Sequence, residues 1–542
     1  MRHSLVLFLL ILAGVPTLQA RICGTRYVAQ SSQRFPLVSA KPLIAQQEKE
    51  EITVGTQLDF PVFNRFGLMQ ATCRYVGEHC YVFVEDVQWD TNGGPVVQQD
   101  VDELGELFDR STPVDTDRGV YQLEVETFGE PPDVDGYEPI FLLVLDTNDD
   151  NLIGFFDRNV STQAVEEWRR DSIYLNERAV RRRRYLARGT LAHEFQHLIH
   201  WGHDSDEEIW VNEGLSGYAE ELAGYPEADP AAVPAFVNRP DINLTEWQPV
   251  REEQAYNYGS SYLFMSFLAE KYGNELIRRL VDEPRNGTSG IDQTLGDSGL
   301  DRDFTGVWMQ WIAGNYAADD PVYGYTAMKN HRILTFAAPS PPFEGAQGII
   351  NNQWGTTTVV FRTPGNIEVE FSGEAAGRYR VWLYAMRNET GDLQELELDA
   401  ENTGRIEVLD VDSLAVIAGR TSPQGGLFEL SARNIVVPTA VSEEAGPGLA
   451  RKPGLGALYP NPFNRRALIP FVLPAAADME LSLYNSLGQQ IRVLRQGFHQ
   501  AGRYEIVWDG RDRDGNEVGS GTYLVVLLTE SERMVRGMML VK

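Results

Sequence analysis

Apolar residues along this chain follow several different rhythms. Ser4 to Val15 is an almost unbroken apolar run behind Arg2 and His3, broken by Pro16 and followed by Leu18-Gln19-Ala20. It is too short for a membrane span, which needs about 20 apolar residues. Its layout is that of a secretory signal peptide over residues 1–20, with an uncleaved anchor as the alternative. Residues 21–50 are polar and aperiodic, as in a linker or a pro-segment. Over 51–160, Leu58–Phe63 and Cys80–Glu85 read as strands, Asp100–Phe108 as a short helix and Pro139–Leu145 as a buried strand. Over 161–335 the period lengthens. Apolar residues recur at spacings of three and four in 186–201, 206–224, 259–272, 274–282 and 303–316, which predicts helices.

Alternation takes over at 345–436, where Ile367, Val369 and Phe371, then Tyr379, Val381, Leu383 and Ala385, interleave with polar residues. Gly-rich turns separate such runs, predicting a β-sandwich. A Pro-, Gly- and Ala-rich linker fills 437–456. Alternation returns at 457–542 with Met479, Leu481 and Leu483, then Tyr523, Val525 and Leu527, predicting a second sandwich. No later stretch reaches the length of a membrane span, so the mature chain is expected to be exported without one.

Composition narrows the functional classes. The chain has 542 residues, enough for three to four domains at about 150 residues each. Acidic residues outnumber basic ones by 78 to 47, and a net charge of -31 repels phosphate backbones, which argues against nucleic-acid binding. Three cysteines cannot build a disulfide scaffold. Export still permits a bridge between Cys73 and Cys80 across a tight hairpin, with two buried thiols as the alternative. The oxygen-rich turns Asp146–Asn151 and Asp133-Val-Asp135-Gly136 offer calcium ligands but lack the full calcium-loop pattern, so solvated turns compete with that reading. Arg181 to Arg184 reads as a solvated face paired with acidic residues, a protease-processing site being the minor reading.

The strongest chemical signal is Leu191-Ala-His193-Glu194-Phe-Gln-His197-Leu-Ile-His200. On a helix, His193 and His197 lie one turn apart, so both imidazoles can bind one Zn²⁺, and Glu194 beside them can take a proton from zinc-bound water. Two residues compete as third ligand. His203 has the metzincin spacing, but that pattern needs a glycine where His200 stands. Glu213 opens a second helix in Trp210-Val-Asn212-Glu213-Gly-Leu-Ser216-Gly-Tyr218, and a helix–loop–helix would bring it opposite the histidine pair.

With Glu213 as third ligand, residues 50–335 resemble the HExxH gluzincin metallopeptidases, most closely the hyicolysin-like group. The resemblance implies an α+β zincin-like core and peptide-bond hydrolysis at one zinc. His193, His197 and Glu213 would be ligands, and Glu194 the general base and later the proton donor to the leaving amine. A downstream tyrosine would stabilise the oxyanion. Tyr258, in Tyr256-Asn-Tyr258-Gly-Ser-Ser-Tyr262, is the choice among three, against a plain packing role. Two departures matter. Gly67-Leu-Met69-Gln70 lacks the acid with which aminopeptidase relatives hold a free N-terminus, favouring an endopeptidase. Gly217 stands where thermolysin-like enzymes carry an Asp.

Leu458-Tyr459-Pro460-Asn461-Pro462-Phe463-Asn464, Trp508-Asp509-Gly510-Arg511-Asp512 and Ser520-Gly521-Thr522-Tyr523 resemble the C-terminal sorting domain of type IX secretion cargo. That implies a partner in the secretion machinery and release or attachment at the outer cell surface. The expectation is a multidomain protein: an α+β zincin-like core, then two immunoglobulin-like β-sandwiches. Its expected activity is that of a secreted zinc endopeptidase. The alternative is a catalytically inactive cell-surface adhesion protein on the same scaffold.

Overall fold

A computed structural model describes residues 51–435 and 454–541, with Ile22, Cys23 and Thr25. Left undescribed within those ranges are 63–67, 162–168, 227–228, 249–253, 388–389, 425, 457, 459–462, 464–466, 486–487, 514–515 and 530–531. The expected signal peptide, most of 21–50 and of the 437–456 linker, and most of the Pro-Asn-Pro motif lie outside the described residues. The chain divides into two compact units, Met1–Ile435 and Val436–Lys542.

The first unit is built on a seven-stranded mixed sheet. Its strands are β1 (Ile22–Cys23), β2 (Gln57–Pro61), β3 (Leu68–Val76), β4 (Cys80–Glu85), β5 (Ile140–Leu145), β6 (Leu152–Phe156) and β7 (Ser172–Asn176). They are ordered β1-β6-β7-β5-β4-β3-β2. β4, β5 and β7 run parallel, and β6 pairs antiparallel with β7. Every residue of β5, β6 and β7 is buried, as the continuous apolar run of β5 requires.

Alternate residues of β4 enter different cores. Cys80, Val82 and Val84 join the core on the helical side, whereas Phe83 packs with Phe60, Met69 and Phe141 on the other. This corrects the expected Cys73–Cys80 bridge. Cys73 pairs with Phe83 across β3 and β4 and shares its face. Cys80 stands three positions before Phe83, an odd offset that turns it to the opposite face. Both cysteines are free and buried.

Helices cover one side of the sheet and extend beyond it: α1 (Gln98–Asp109), α2 (Val120–Phe128), α3 (Arg184–His203), α4 (Ile209–Leu222), α5 (Ala232–Val237), α6 (Ala255–Tyr272), α7 (Asn274–Val281), α8 (Gly287–Asp297) and α9 (Phe304–Tyr316). α3 lies directly on β6. A Cβ on Gly154 would come 2.7 Å from Thr190 Cγ2 and 2.8 Å from the Tyr174 carbonyl, so only glycine permits this approach. The arginine run joins α3 to its acidic surroundings: Arg181 pairs with Glu177, and Arg184 with Asp100 and Glu103.

Strands β8 (Phe336–Ala337), β9 (Phe343–Ile349), β10 (Thr356–Phe361), β11 (Gly365–Gly373), β12 (Tyr379–Arg387), β13 (Thr390–Leu396), β14 (Thr403–Val411), β15 (Ser413–Arg420) and β16 (Leu427–Asn434) form two sheets. Their orders are β13-β12-β15-β10-β8 and β14-β11-β16-β9. The alternating Ile367, Val369, Phe371, Val381 and Leu383 fill the space between them. This sandwich is fused to the helices. Val360, Tyr384, Ala415 and Ile417 share a core with Trp308 and Trp311. Buried Asp241 accepts from the backbone N–H groups of Asn351 (2.8 Å) and Asn352 (3.2 Å).

The second unit is another sandwich. One sheet holds β17 (Gly454–Leu455), β18 (Ala467–Leu473) and β21 (Gly502–Trp508). The other holds β19 (Ala477–Asn485), β20 (Gln490–His499), β22 (Gly521–Thr529) and β23 (Arg533–Leu540), in the order β20-β19-β22-β23. Met479, Leu481, Leu483, Val525 and Leu527 pack around buried Trp508. Among the described residues no helix is long and apolar enough to cross a membrane.

Burial pushes the Cys73 thiol up to about 11 and Cys80 well above its ordinary value. Both should therefore resist alkylation in the native protein and react fully after unfolding without reductant. Mass spectrometry of the alkylated chain checks this, and a bridged pair would stay unlabelled throughout.

Candidate metal centre

His193 and His197 belong to the buried middle of α3, four residues apart and hence on one face. α4 brings three side chains against that face in reverse order. Asn212 meets His197, Ser216 meets Gln196 and His197, and Glu220 meets His193. The two helices are therefore antiparallel, and Glu213 faces the histidine pair. Glu213 Oε2 lies 3.3 Å from His193 Nε2 and 3.7 Å from His197 Nε2. Ligand atoms of all three residues lie within 4.8 Å of one another, and all three are buried.

These residues fit a zinc ion. Two ligands at about 2.0–2.1 Å from a tetrahedral centre stand about 3.3 Å apart, close to the separation across His193 and Glu213. The other ring nitrogen of each histidine is held from outside. Glu220 Oε1 lies 2.9 Å from His193 Nδ1, and Asn212 Oδ1 lies 2.8 Å from His197 Nδ1. Such partners orient the ring and leave the Nε2 lone pair for a metal. Burial lowers the His197 pKa despite the opposing pull of Glu213, keeping the imidazole neutral.

α6 forms the other wall. A Cβ on Gly214 would come 2.7 Å from the Ser261 carbonyl and 2.8 Å from Met265 Cγ, so this glycine lets α4 lie close against α6. Tyr258 and Tyr262, one turn apart on α6, line a cleft together with His193, Glu213, Gly217 and Glu220. Tyr258 stands edge-on to Trp247, with ring centroids 4.8 Å apart. Tyr256 points elsewhere, under the Arg239 guanidinium.

Glu194 is fully buried at the junction of α3 and β6. Its Oε2 accepts from the Phe156 N–H (3.1 Å) and from the Thr25 hydroxyl (2.6 Å). Thr25 Oγ1 also accepts from the Phe156 N–H at 2.7 Å. Just before it, β1 extends the sheet, pairing parallel with β6 through Ile22–Leu152 and Cys23–Gly154.

His203, the competing ligand, is tied elsewhere. Its Nδ1 lies 2.7 Å from Asp282 Oδ1 and its Nε2 lies 3.0 Å from the Glu130 carbonyl. Glu220 is the residue that the sequence reading missed. It stands seven residues beyond Glu213, two helical turns along the same face, and that spacing could have found it. It takes a holding role that Gly217 cannot. The two oxygen-rich turns differ. Arg178 pairs with both Asp146 and Asp150 in the first. In the second, Asp171, just before β7, joins Asp133 and Asp135, with ligand atoms within 4.8 Å.

Comparison with known proteins adds two findings. Residues 465–532 match the FlgD Ig-like domain family, which makes the C-terminal sandwich immunoglobulin-like. The chain is also 22% identical over 257 residues to the neutral metalloprotease ShpI of Staphylococcus hyicus, covering 42% of this chain and 53% of that protein. It thus spans about half the length of this distant relative. Among solved structures, PorZ, a type-IX secretion system component of Porphyromonas gingivalis, is 22% identical over 22% of this chain and 14% of its own, with a TM-score of 0.14. The pre-peptidase C-terminal domain of a Bacillus anthracis collagenase is 12% identical over 19% of this chain and 100% of its own, with a TM-score of 0.16. Neither superposition carries an argument at such scores.

Replacing Glu220 by Ala should weaken metal retention about 10–100-fold, the usual cost of losing a partner behind a ligand. Competition against a chelator of known affinity measures it, with circular dichroism to verify the fold.

Proposed function

We propose that this chain is a zinc-dependent endopeptidase, hydrolysing protein or peptide substrates in the cleft between α3, α4 and α6. The observation that carries this reading is the convergence of buried His193, His197 and Glu213, each histidine oriented from behind. Bound zinc supplies a Lewis acid that polarises a carbonyl and acidifies a water. Glu194 is the proton carrier. The Phe156 N–H fixes its Oε2, while its buried Oε1 makes no hydrogen bond among the described residues and is available to take a proton from water and return it to the leaving amine. Tyr258, on the cleft wall, is assigned to hydrogen-bond the oxyanion. The distant similarity to a neutral metalloprotease supports the reaction class.

Asp133, Asp135 and Asp171 are the hard oxygen donors that a calcium ion would use, with a solvated turn as the competing reading. In the same reading the domains are a peptidase core in two parts (51–160 and 161–335), a sandwich at 345–436 and a sorting domain at 457–542. In this reading the signal peptide starts export and the C-terminal sandwich engages the secretion machinery, leaving the enzyme released or attached outside the cell.

The contact of Thr25 with Glu194 favours the pro-segment reading of 21–50, because it occupies the proposed base and the β6 edge together. A chain beginning at residue 51 should therefore cleave casein several-fold faster than one beginning at residue 21. Equal rates would show that the contact does not block turnover.

The central test measures zinc and casein hydrolysis for the wild type, Glu194→Gln and Glu213→Ala. Glu194→Gln should keep the wild-type metal content and lose about 10²–10⁴-fold in rate. Glu213→Ala should lose one metal equivalent along with activity. A Glu194→Gln enzyme that cleaves at the wild-type rate ends the assignment.

A further inference from the structure

A second cluster lies at the corner joining α3 to α4. His200 belongs to the last turn of α3, Asp204 caps its C-terminus, and Glu207 stands just before α4. Their relative exposures are 0%, 7% and 9%, so all three are withdrawn from solvent. One ligand atom from each lies within 4.8 Å of the others.

The bonds these groups already make show what is left over. Asp204 Oδ1 accepts from the Asp206 N–H at 3.3 Å. Glu207 Oε1 accepts from the Gly287 N–H at 2.8 Å and from the Glu208 N–H. Among the described residues, Asp204 Oδ2, Glu207 Oε2 and both ring nitrogens of His200 are buried without a hydrogen bond of normal geometry, although the Asn212 amide lies beside the ring and the Asp206 carboxyl beside Asp204. The charged groups that bear on the two carboxylates are mainly other carboxylates: Asp206, Glu208 and Glu283. Arg285, at 3.2 Å, serves Glu283. Two carboxylate oxygens and an imidazole, buried together with unused lone pairs, form a donor set for a cation.

We propose that His200, Asp204 and Glu207 form a second metal site, which binds a divalent cation of the zinc class and clamps the α3–α4 corner. The imidazole selects that class over calcium, which prefers six to eight oxygens. The role is structural. The corner determines where α4 starts, and α4 carries Glu213. Asn212, one residue before Glu213, contacts His197 and lies beside His200, so the two sites adjoin. This inference does not depend on the peptidase reading.

The test uses the full chain, loaded with zinc and freed of excess by gel filtration. Zinc is counted in the wild type, in Asp204→Asn/Glu207→Gln and in His193→Ala/His197→Ala. The expected result is two equivalents in the wild type and one in each double variant, with a lower melting temperature for Asp204→Asn/Glu207→Gln. One equivalent in the wild type, kept by Asp204→Asn/Glu207→Gln and lost by His193→Ala/His197→Ala, overturns the second site and leaves the first. One equivalent lost in the reverse pattern supports the second site and removes the first. No zinc in the wild type overturns both. Should a variant fail to fold, wild-type crystals grown with zinc decide: an anomalous peak among His200, Asp204 and Glu207 supports the site, and a peak at His193 alone overturns it.

Discussion

The approach of the Glu213 carboxylate to two imidazole nitrogens, away from water, is the constraint on which this protein turns. A carboxylate and two lone pairs brought within a few ångströms in a buried space do not stay together unaided. The fold spends much of its specificity on holding them there. The fully buried strands β5 to β7 give α3 a rigid floor. Gly154 lets α3 settle on that floor, and Gly214 lets α4 lie close against α6. Glu220 and Asn212 then fix the rings from behind. Each device is local, and their common effect is a set of donors aimed at one point.

How much of this was legible in the sequence depended on the kind of signal. Long periodic helices were readable because their apolar spacing persists over several turns: 186–201 lies within α3 and 259–272 within α6. Short elements gave no such run. β6 and β7 have five residues each, and α8, with three glycines in Gly287–Asp297, carries few apolar residues to mark a face. The histidine pair announced itself by spacing. Glu220 carried a weaker signal of the same kind, seven residues beyond Glu213 on one helix face, whereas Thr25 carried none, because it reaches Glu194 across a fold that a one-dimensional pattern does not show. The cysteines illustrate the same limit. Cys73 and Cys80 are close in sequence and join a real β-hairpin, yet strand parity puts them on opposite faces.

The sandwich at 343–434 also differs from what alternation alone suggests. Inward-facing residues such as Ile367, Val369 and Leu383 form its core, but outward-facing ones are not all left to water. Tyr384 and Ile417 instead pack with Trp308 and Trp311. Alternation reports which residues share a face and is silent on what covers the second face. That second contact joins the sandwich to the helices in one compact unit, so the sandwich braces α9 as well as standing beside it.

Around Glu194 the same economy appears at smaller scale. The Phe156 N–H points at this carboxylate from β6, the strand on which β1 lies. One strand, β6, thus both orients the proposed base and receives an extended segment. A segment that adds to this edge reaches Glu194 within two residues of its last paired position, as Cys23 and Thr25 do. Geometry of that kind suits an extended segment lying along β6, as β1 does. Occupancy of the edge and accessibility of the base are therefore one variable rather than two.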